Sequence, residues 1–593
     1  MTNEIILRPD KNRRSLESIL AKQLADGRLP DSITAIPANP AITLMTPYYT
    51  RIRRSLDSIA EAIARQNNRP TWFDYKSIIT KAKENNIKYI EEQQRAGMPI
   101  GLLRVGSAAK KAGYSTTIID AVYEGWTQSE LYFRSENNSE VIRYGLSRNQ
   151  IEERLRQSKP AVVGITCDYT HQWGNARELA DIIKSIDQNI VVVMGGTHVH
   201  GLPRDALLDS PIDYVVTRQG DKTFVELLDV LSGKSTKSIE EIDGIAYRKD
   251  NSVIENKKRH FITTLEDVAL DYSFFNLNQY SGPFHSAGPR LLDTGYLVYF
   301  FATTGCNVGC KFCAIPGVQG GWTAQSEKTL DESLAYLSSI GVRELLIEDD
   351  HLFHDPVRAR TVFQKLKKYD MTWFEEGGVS LFNLIALHPS VGEEEIYASV
   401  TNPHLFDRVI EAKHAGITTE MLIKEMASSG CYGAYLAVET PNIESLATSK
   451  KSTLNADGIL TKEIVSLFKQ YDMNVTCGLM YGFINRDGKT VYAESPKQIQ
   501  NSFRFAKELR KVGASYINFF IDTPLPGAPN FYDLLPYASR NTDECYSHEF
   551  GTMNAPNGEW TRDELTLLRL QGIFDTIGVD GYKKMCRTGT WPT

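Results

Sequence analysis

The segment YLVYFFATTGCNVGCKFCAI, residues 296–315, decides the reading of this chain. Its opening run, Tyr296 to Ala302, is apolar, too short to cross a membrane and the right length for a buried strand. Cys306, Cys310 and Cys313 follow directly, in one loop. Three thiolates so close in sequence can face a single point, and they suit a soft metal or an iron–sulfur cluster. A four-iron cluster normally takes four cysteines, so three leave one iron open to an outside ligand. Structural zinc is the plainer alternative. It closes with a fourth Cys or His at short spacing, and none follows before His351.

Beyond this loop, strand-like runs recur. ELLIED (344–349), GGVSLFNL (377–384), GAYLAVE (433–439), NVTCGLMY (474–481) and YINFFID (516–522) alternate with helical patterns such as ESLAYLSSI and MLIKEMASSG. With 296–303 they make six β/α units and no seventh, which predicts a complete or partial parallel barrel with its chemistry at the C-terminal ends of the strands. The tail beyond 523 is rich in Pro, Asn and Tyr, with one helix near 561–577.

Upstream, a separate series precedes the barrel. AITLM (41–45), STTIID (115–120), AVVGITC (161–167), IVVVMGG (190–196) and DYVV (213–216) read as five buried strands with helices between them. That pattern predicts a doubly wound parallel sheet, which binds ligands at its C-terminal strand ends. Residues 51–97 read as helical, and DGIAYRKDNSVIE as a hairpin. The expected organisation is an N-terminal arm 1–34, a Rossmann-like domain 35–232 with a helical insert 48–98, a linker 233–295, a barrel 296–525 and an extension 526–593.

Composition excludes several classes. The 593 residues suffice for three or four domains at roughly 100–200 residues each. Apolar residues at 42% and charged residues at 23% are those of a globular chain, not a disordered or fibrous one. With 66 Lys+Arg against 73 Asp+Glu, the net charge of -7 does not suit a coat for nucleic acid. No run is long enough to span a membrane, and the start MTNEIILRPDKNRRSLES has no apolar core of a secretory signal. The cytoplasm, where thiols stay reduced, is the expected compartment.

TTGCNVGCKFCAI after the first strand of a six-unit β/α barrel resembles the radical S-adenosylmethionine (SAM) superfamily. Its CxxxCxxC motif is met by Cys306, Cys310 and Cys313, with the aromatic Phe312 before the third cysteine. The resemblance implies a [4Fe–4S] cluster on these cysteines and SAM at the open iron. It places Glu348, Asp349 and Asp350 near the methionyl amine and Glu439, in LAVETP, near the ribose or methionyl end. It sets Gly478 beside the adenine and Pro526 in the P-x-PG turn of PLPGAP (524–529).

The first domain resembles the cobalamin-binding domain that precedes the barrel in one large branch of that superfamily. PIGLLRVGSAAKKAGYSTTIID (99–120), AVVGITC, IVVVMGGTHVHGLP (190–203) and DYVVTRQGDKTFVEL (213–227) carry the likeness. By that resemblance Thr166, Asp168, Tyr169, Gly195, Gly196, Thr197, His198 and Gly220 face cobalamin. Gly195 and Gly196 would let the backbone approach a large flat ligand. His198 and His200 lie in GGTHVHG without the Asp two residues earlier that marks the cobalt-ligating Asp-x-His-x-x-Gly motif. A cobalamin with its own base displaced and no His from that motif below cobalt is therefore expected. Only Cys167 precedes Cys306, too few thiols for the second cluster of a methylthiotransferase.

Together these resemblances imply a cobalamin-dependent radical SAM methyltransferase. It would abstract hydrogen from an unactivated carbon of a small molecule, methylate that carbon from methylcobalamin, and draw electrons from a flavodoxin- or ferredoxin-type donor. The alternatives are cyclisation, oxidation or rearrangement without methyl transfer, methylation at phosphorus or an sp2 carbon, and a non-catalytic corrinoid carrier. One geometric expectation follows: both sets of strand ends, and the Phe- and Tyr-rich linker 260–295, should enclose one shared cavity.

Overall fold

The computed structural model describes residues 30–66, 71–94, 97–135, 138–261, 270–280, 295–400, 403–455, 457–538 and 549–588. Its first sheet has five parallel strands, Ala41–Thr46, Ser115–Asp120, Val162–Thr166, Val191–Gly195 and Tyr214–Val216. In space the second strand lies outside the first, and the third, fourth and fifth follow on the other side. The chain order therefore reverses between Ala41–Thr46 and Val162–Thr166, the point at which such sheets bind ligands.

Side-chain alternation explains why these runs are strands. Val163, Ile165, Val192 and Met194 join one apolar cluster, while Val162, Val191 and Val193 join another on the opposite face. Burying each such side chain contributes roughly 1.5–3 kcal/mol. Both faces are covered, so the strands read as continuous apolar runs.

Two expectations for this half change. The insert is not wholly helical: Tyr49–Ser55 is a strand whose residues alternate between part-exposed and buried. It sits in a four-stranded antiparallel sheet with Tyr89–Glu91, Ser129–Arg134 and Ser139–Tyr144, and only Leu56–Gln66 and Tyr75–Glu84 are helices. Alternating arginines conceal the period-two pattern, because Arg54 is buried in an ion pair with Asp563 of the C-terminal helix. The hairpin Ile245–Lys249 and Ser252–Glu255, within the stretch read as linker, extends the first sheet by pairing Tyr247 with Tyr214.

Six parallel strands in sequential order form the second sheet: Tyr296–Phe300, Val342–Ile347, Thr372–Val379, Cys431–Glu439, Asn474–Tyr481 and Tyr516–Ile521. This is the partial barrel. The third strand starts before the GGVSLFNL segment, and Leu381–Ala386 of that segment is a helix. A register shift between Glu375 and Val379 causes the misreading. There Gly377 passes so close to the second strand that a Cβ would lie 2.3 Å from the Asp349 carbonyl oxygen. The C-terminal helix Arg562–Thr588 packs on the last strand and is longer than expected, with a break at Gly578. Among the described residues no helix is long and apolar enough to cross a membrane.

Candidate active site

The cysteine loop leaves the first barrel strand through a short antiparallel bridge, Thr303–Thr304 against Thr323–Ala324. Gly305, at φ +80°, has no room for a side chain, because a Cβ would lie 2.3 Å from the Gly321 carbonyl oxygen. Cys306 N–H donates to Gly320 O (3.1 Å) and Cys313 N–H to Cys310 O (3.1 Å). Burial pushes the Cys310 thiol up to about 11 and the Cys313 thiol up to about 12, and each also feels the charge of its neighbouring cysteines. Without a cation the thiols stay protonated, and a bound metal reverses that preference. Among the described residues no three His, Cys, Asp or Glu side chains are gathered closely enough to hold one metal ion. A cluster that meets each cysteine through a different iron is what this soft, three-thiol donor set fits.

The acidic run at the end of the second strand divides its work. Asp349 is fully buried and accepts Ala302 N–H (2.7 Å) and Thr303 Oγ1–H (2.8 Å), so it pins the root of the cysteine loop instead of facing a ligand. Burial raises its carboxyl to about 7. Asp350 accepts Gly305 N–H (2.7 Å) and Thr304 Oγ1–H (3.2 Å) and reaches the cavity wall. Glu348 also lines the cavity; burial, then Glu376, drives its carboxyl well above the usual range. Glu439 ends the fourth strand at φ +63° and pairs with Lys451 at 2.8 Å. Gly478 and Pro526 line neither of the two cavities between the domains described below. A Cβ at Gly478 would fall 1.7 Å from the Tyr435 hydroxyl oxygen, and Pro526 packs against Gly201 of the first domain.

Both sets of strand ends open onto one cavity of about 580 Å³. Thr46, Asp120, Thr166, Asp168 and Tyr169 line it from the first domain, and Phe301, Thr304, Glu348, Asp350 and Glu376 from the barrel. A narrower cavity of about 140 Å³ shares Gly101, Leu102, Arg104, Thr166, Asp168 and Gln319 with it and runs back along the first sheet to Gly195, Gly196, Thr197 and Gly220. The connector ties the two halves together: Tyr272 donates to Tyr299 O (2.7 Å) and Tyr280 to Asp120 Oδ2 (2.5 Å). The rest of 260–295 lies largely outside the described residues.

A flat, tailed ligand fits this pair of cavities on two counts. Gly101 opens onto both, and a Cβ there would meet nothing within 4 Å. Gly196, at φ +107°, brings its backbone against Cys167 and Asp168, where a Cβ would lie 2.6 Å from the Cys167 carbonyl oxygen. Neither histidine lines these cavities. His198 is buried beside Trp173, with Nδ1 3.2 Å from Thr170 Oγ1, and burial lowers it to about 3. His200 Nδ1 accepts Arg218 N–H (3.1 Å), and burial lowers it to about 4.

Sequence reasoning missed Lys451, Glu376 and Arg104. Arg104 was legible as a cation within the apolar first half of its helix, Ile100–Lys111; it stands 3.4 Å from Asp221 and 5.4 Å from the Phe301 ring, joining first domain to barrel. Glu376 was hidden by the misplaced third strand, and nothing distinguishes Lys451 from its neighbour Lys450 in sequence.

Comparison with known proteins agrees with this architecture. Residues 92–228 match the B12 binding domain family. The chain is 23% identical over 507 residues to cytidylyl-2-hydroxyethylphosphonate methyltransferase of Streptomyces wedmorensis, covering 80% of this chain and 85% of that one. Among solved structures it resembles the radical S-adenosylmethionine methyltransferase TsrM of Kitasatospora setae, with cobalamin and a [4Fe–4S] cluster bound. The TM-score is 0.52 at 12% identity, over 84% of this chain and 78% of that one. The cobalamin-dependent S-adenosylmethionine radical enzyme OxsB also matches, at TM-score 0.52 and 13% identity over 79% and 52%. The chain thus has a B12 binding domain match in its first sheet, and it shares with these two solved structures the fold in which such a sheet is joined to a six-stranded β/α barrel.

Proposed function

We propose that this chain is a cobalamin-dependent radical SAM methyltransferase that methylates an unactivated carbon of a small molecule held in the shared cavity. The observation that carries the reading is the cavity itself, where the strand ends of a B12-binding sheet face the root of a CxxxCxxC loop across about 580 Å³. A radical precursor and a methyl donor must both reach one substrate carbon, and this arrangement allows it.

In this reading Cys306, Cys310 and Cys313 hold the cluster, and Glu348, Asp350 and Glu439 face SAM. Asp349 acts indirectly by fixing the loop. Thr166, Asp168, Tyr169, Gly195, Gly196, Thr197 and Gly220 hold the corrinoid, while His198 and His200 brace the loop behind them. Gly478 leaves space for Tyr435 and Pro526 docks the first domain, so both serve the SAM side through packing. When bound, the cluster with SAM supplies a radical able to remove hydrogen, and cobalamin supplies the methyl group. The chain's residues orient the substrate and exclude water. An external flavodoxin- or ferredoxin-type protein is the proposed electron source.

Anaerobic reconstitution with iron, sulfide and cobalamin, followed by incubation with candidate small molecules and mass spectrometry, tests the reading. A product heavier by one methyl group, formed with 5′-deoxyadenosine, supports it. A product without added methyl moves the assignment to a cyclase or oxidase.

A further inference from the structure

Lys451 is a nearly buried basic residue beside the cysteine loop, and the fold goes to some length to put it there. The helix Ile443–Thr448 ends in a turn in which Lys450 takes φ +58° and Lys451 N–H donates to Leu446 O (2.9 Å). That reversal sends Lys450 outward and Lys451 inward. The Lys451 side chain is 11% exposed and its partner Glu439 12%. Its ammonium lies 5.9 Å from the centre of the Phe312 ring, and Phe312 stands between Cys310 and Cys313 in sequence. A second ring, Phe382, lies 5.4 Å away, so aromatic faces help hold the charge in place.

Glu439 is itself held at φ +63°, a conformation rare for a residue with a side chain. Burial works against the charge of Lys451, but Glu439 and then Cys310 more than offset it, and its ammonium is held above the ordinary lysine range. The turn that carries Lys451 is tied to the cysteine loop itself, where Lys311 N–H donates to Ser449 O (3.0 Å). A lone buried cation would be costly, and the Glu439 carboxylate offsets that cost. Beside three thiolates the arrangement has a use.

We infer that Lys451, positioned by Glu439, is the counter-charge of the cysteine-bound cluster and sets how readily that cluster accepts an electron. This rests on the cluster reading above. Reduction adds one negative charge to the cluster, and a fixed buried cation stabilises the reduced state more than the oxidised one. Lys451 is thus a positioning and tuning residue for the electron that starts the reaction.

The test is an electron paramagnetic resonance redox titration of the reconstituted protein without SAM, with iron content measured on every sample. Lys451→Met should lower the reduced-to-oxidised ratio at a fixed solution potential at least tenfold, which is 59 mV for one electron. Lys451→Arg should titrate like wild type. Lys451→Met combined with Glu439→Gln, which leaves no orphaned carboxylate, should fall between wild type and Lys451→Met. It also serves as the measurable variant if Lys451→Met alone does not hold iron. Fully loaded variants that titrate like wild type overturn the inference. A wild-type chain that takes up no iron overturns the cluster reading beneath it, and the iron assay tells the two failures apart.

Discussion

Gly201 of the first domain and Pro526 of the barrel meet so closely that a Cβ on Gly201 would lie 2.5 Å from the Pro526 carbonyl carbon. His200 continues the contact, with its ring 3.8 Å from where a Cβ on Gly527 would stand. The loop after the fourth strand of one sheet is therefore seated on the loop after the sixth strand of the other. This contact, with Arg104 against Phe301, keeps the two strand-end faces opposed across the cavity.

Gly201→Val should separate this contact. Forcing extra methyl groups into a packed junction costs about 1–3 kcal/mol. The expected result is a lower urea midpoint, and faster proteolysis between the domains in a time course. Unchanged midpoint and cleavage would show that the junction has slack.

Asp349 makes a pH prediction. Its carboxyl is raised from the ordinary carboxylate range to about 7 by burial, so between about 4 and 7 the folded chain holds a proton that the unfolded chain releases. Stability from this group is therefore present at low pH and is lost as pH rises towards 7. Asp349→Asn keeps a carbonyl acceptor but cannot ionise. It should flatten the wild-type loss of stability between pH 4 and 7, measured by urea denaturation. A wild-type-minus-variant difference that does not change with pH contradicts the assignment.

Gly101→Leu should leave the fold intact and remove the corrinoid. A Cβ there meets nothing within 4 Å, and replacing a helix glycine is favourable by roughly 0.5–1 kcal/mol. Thermal stability of the apo-protein should not fall, while corrinoid retention through gel filtration drops at least tenfold. Full retention would place the corrinoid elsewhere.

Replacing Cys306, Cys310 and Cys313 together by Ala should abolish iron uptake, which is about four irons per chain in the wild type. Cys431, whose thiol donates to Gly433 O (3.2 Å), and Cys477, buried in the fifth strand, should each be replaceable without loss of iron. Cys586, in the C-terminal helix, should behave the same way; Cys545 lies outside the described residues. A triple variant that keeps a full cluster contradicts the site.

Both parallel sheets were legible because their strands are covered on two faces and read as unbroken β-branched runs. Val162–Thr166 and Val191–Gly195 fall where the sequence puts them. Tyr49–Ser55 was lost because the buried Arg54 breaks its alternation, and the third barrel strand because a glycine pair and a register shift interrupt it. Within the site, motif residues were legible by spacing. What was not legible depends on contacts distant in sequence: Asp349 turns from ligand to loop anchor through Ala302 and Thr303, and Lys451 acquires its place through Glu439. The two histidines of GGTHVHG look ligand-like in sequence, yet the helical turn Thr197–Gly201 directs them behind the cavity wall.

The central claim is that one cavity brings a radical precursor and a corrinoid methyl donor to the same substrate. It is tested most directly by incubating the reconstituted enzyme and substrate with SAM deuterated at its methyl group, with and without cobalamin, and analysing product by mass spectrometry. The account predicts a deuterated methyl group in the product, 5′-deoxyadenosine alongside it, and neither deuterated product nor methyl gain when cobalamin is left out. A labelled product formed equally well without cobalamin would contradict it.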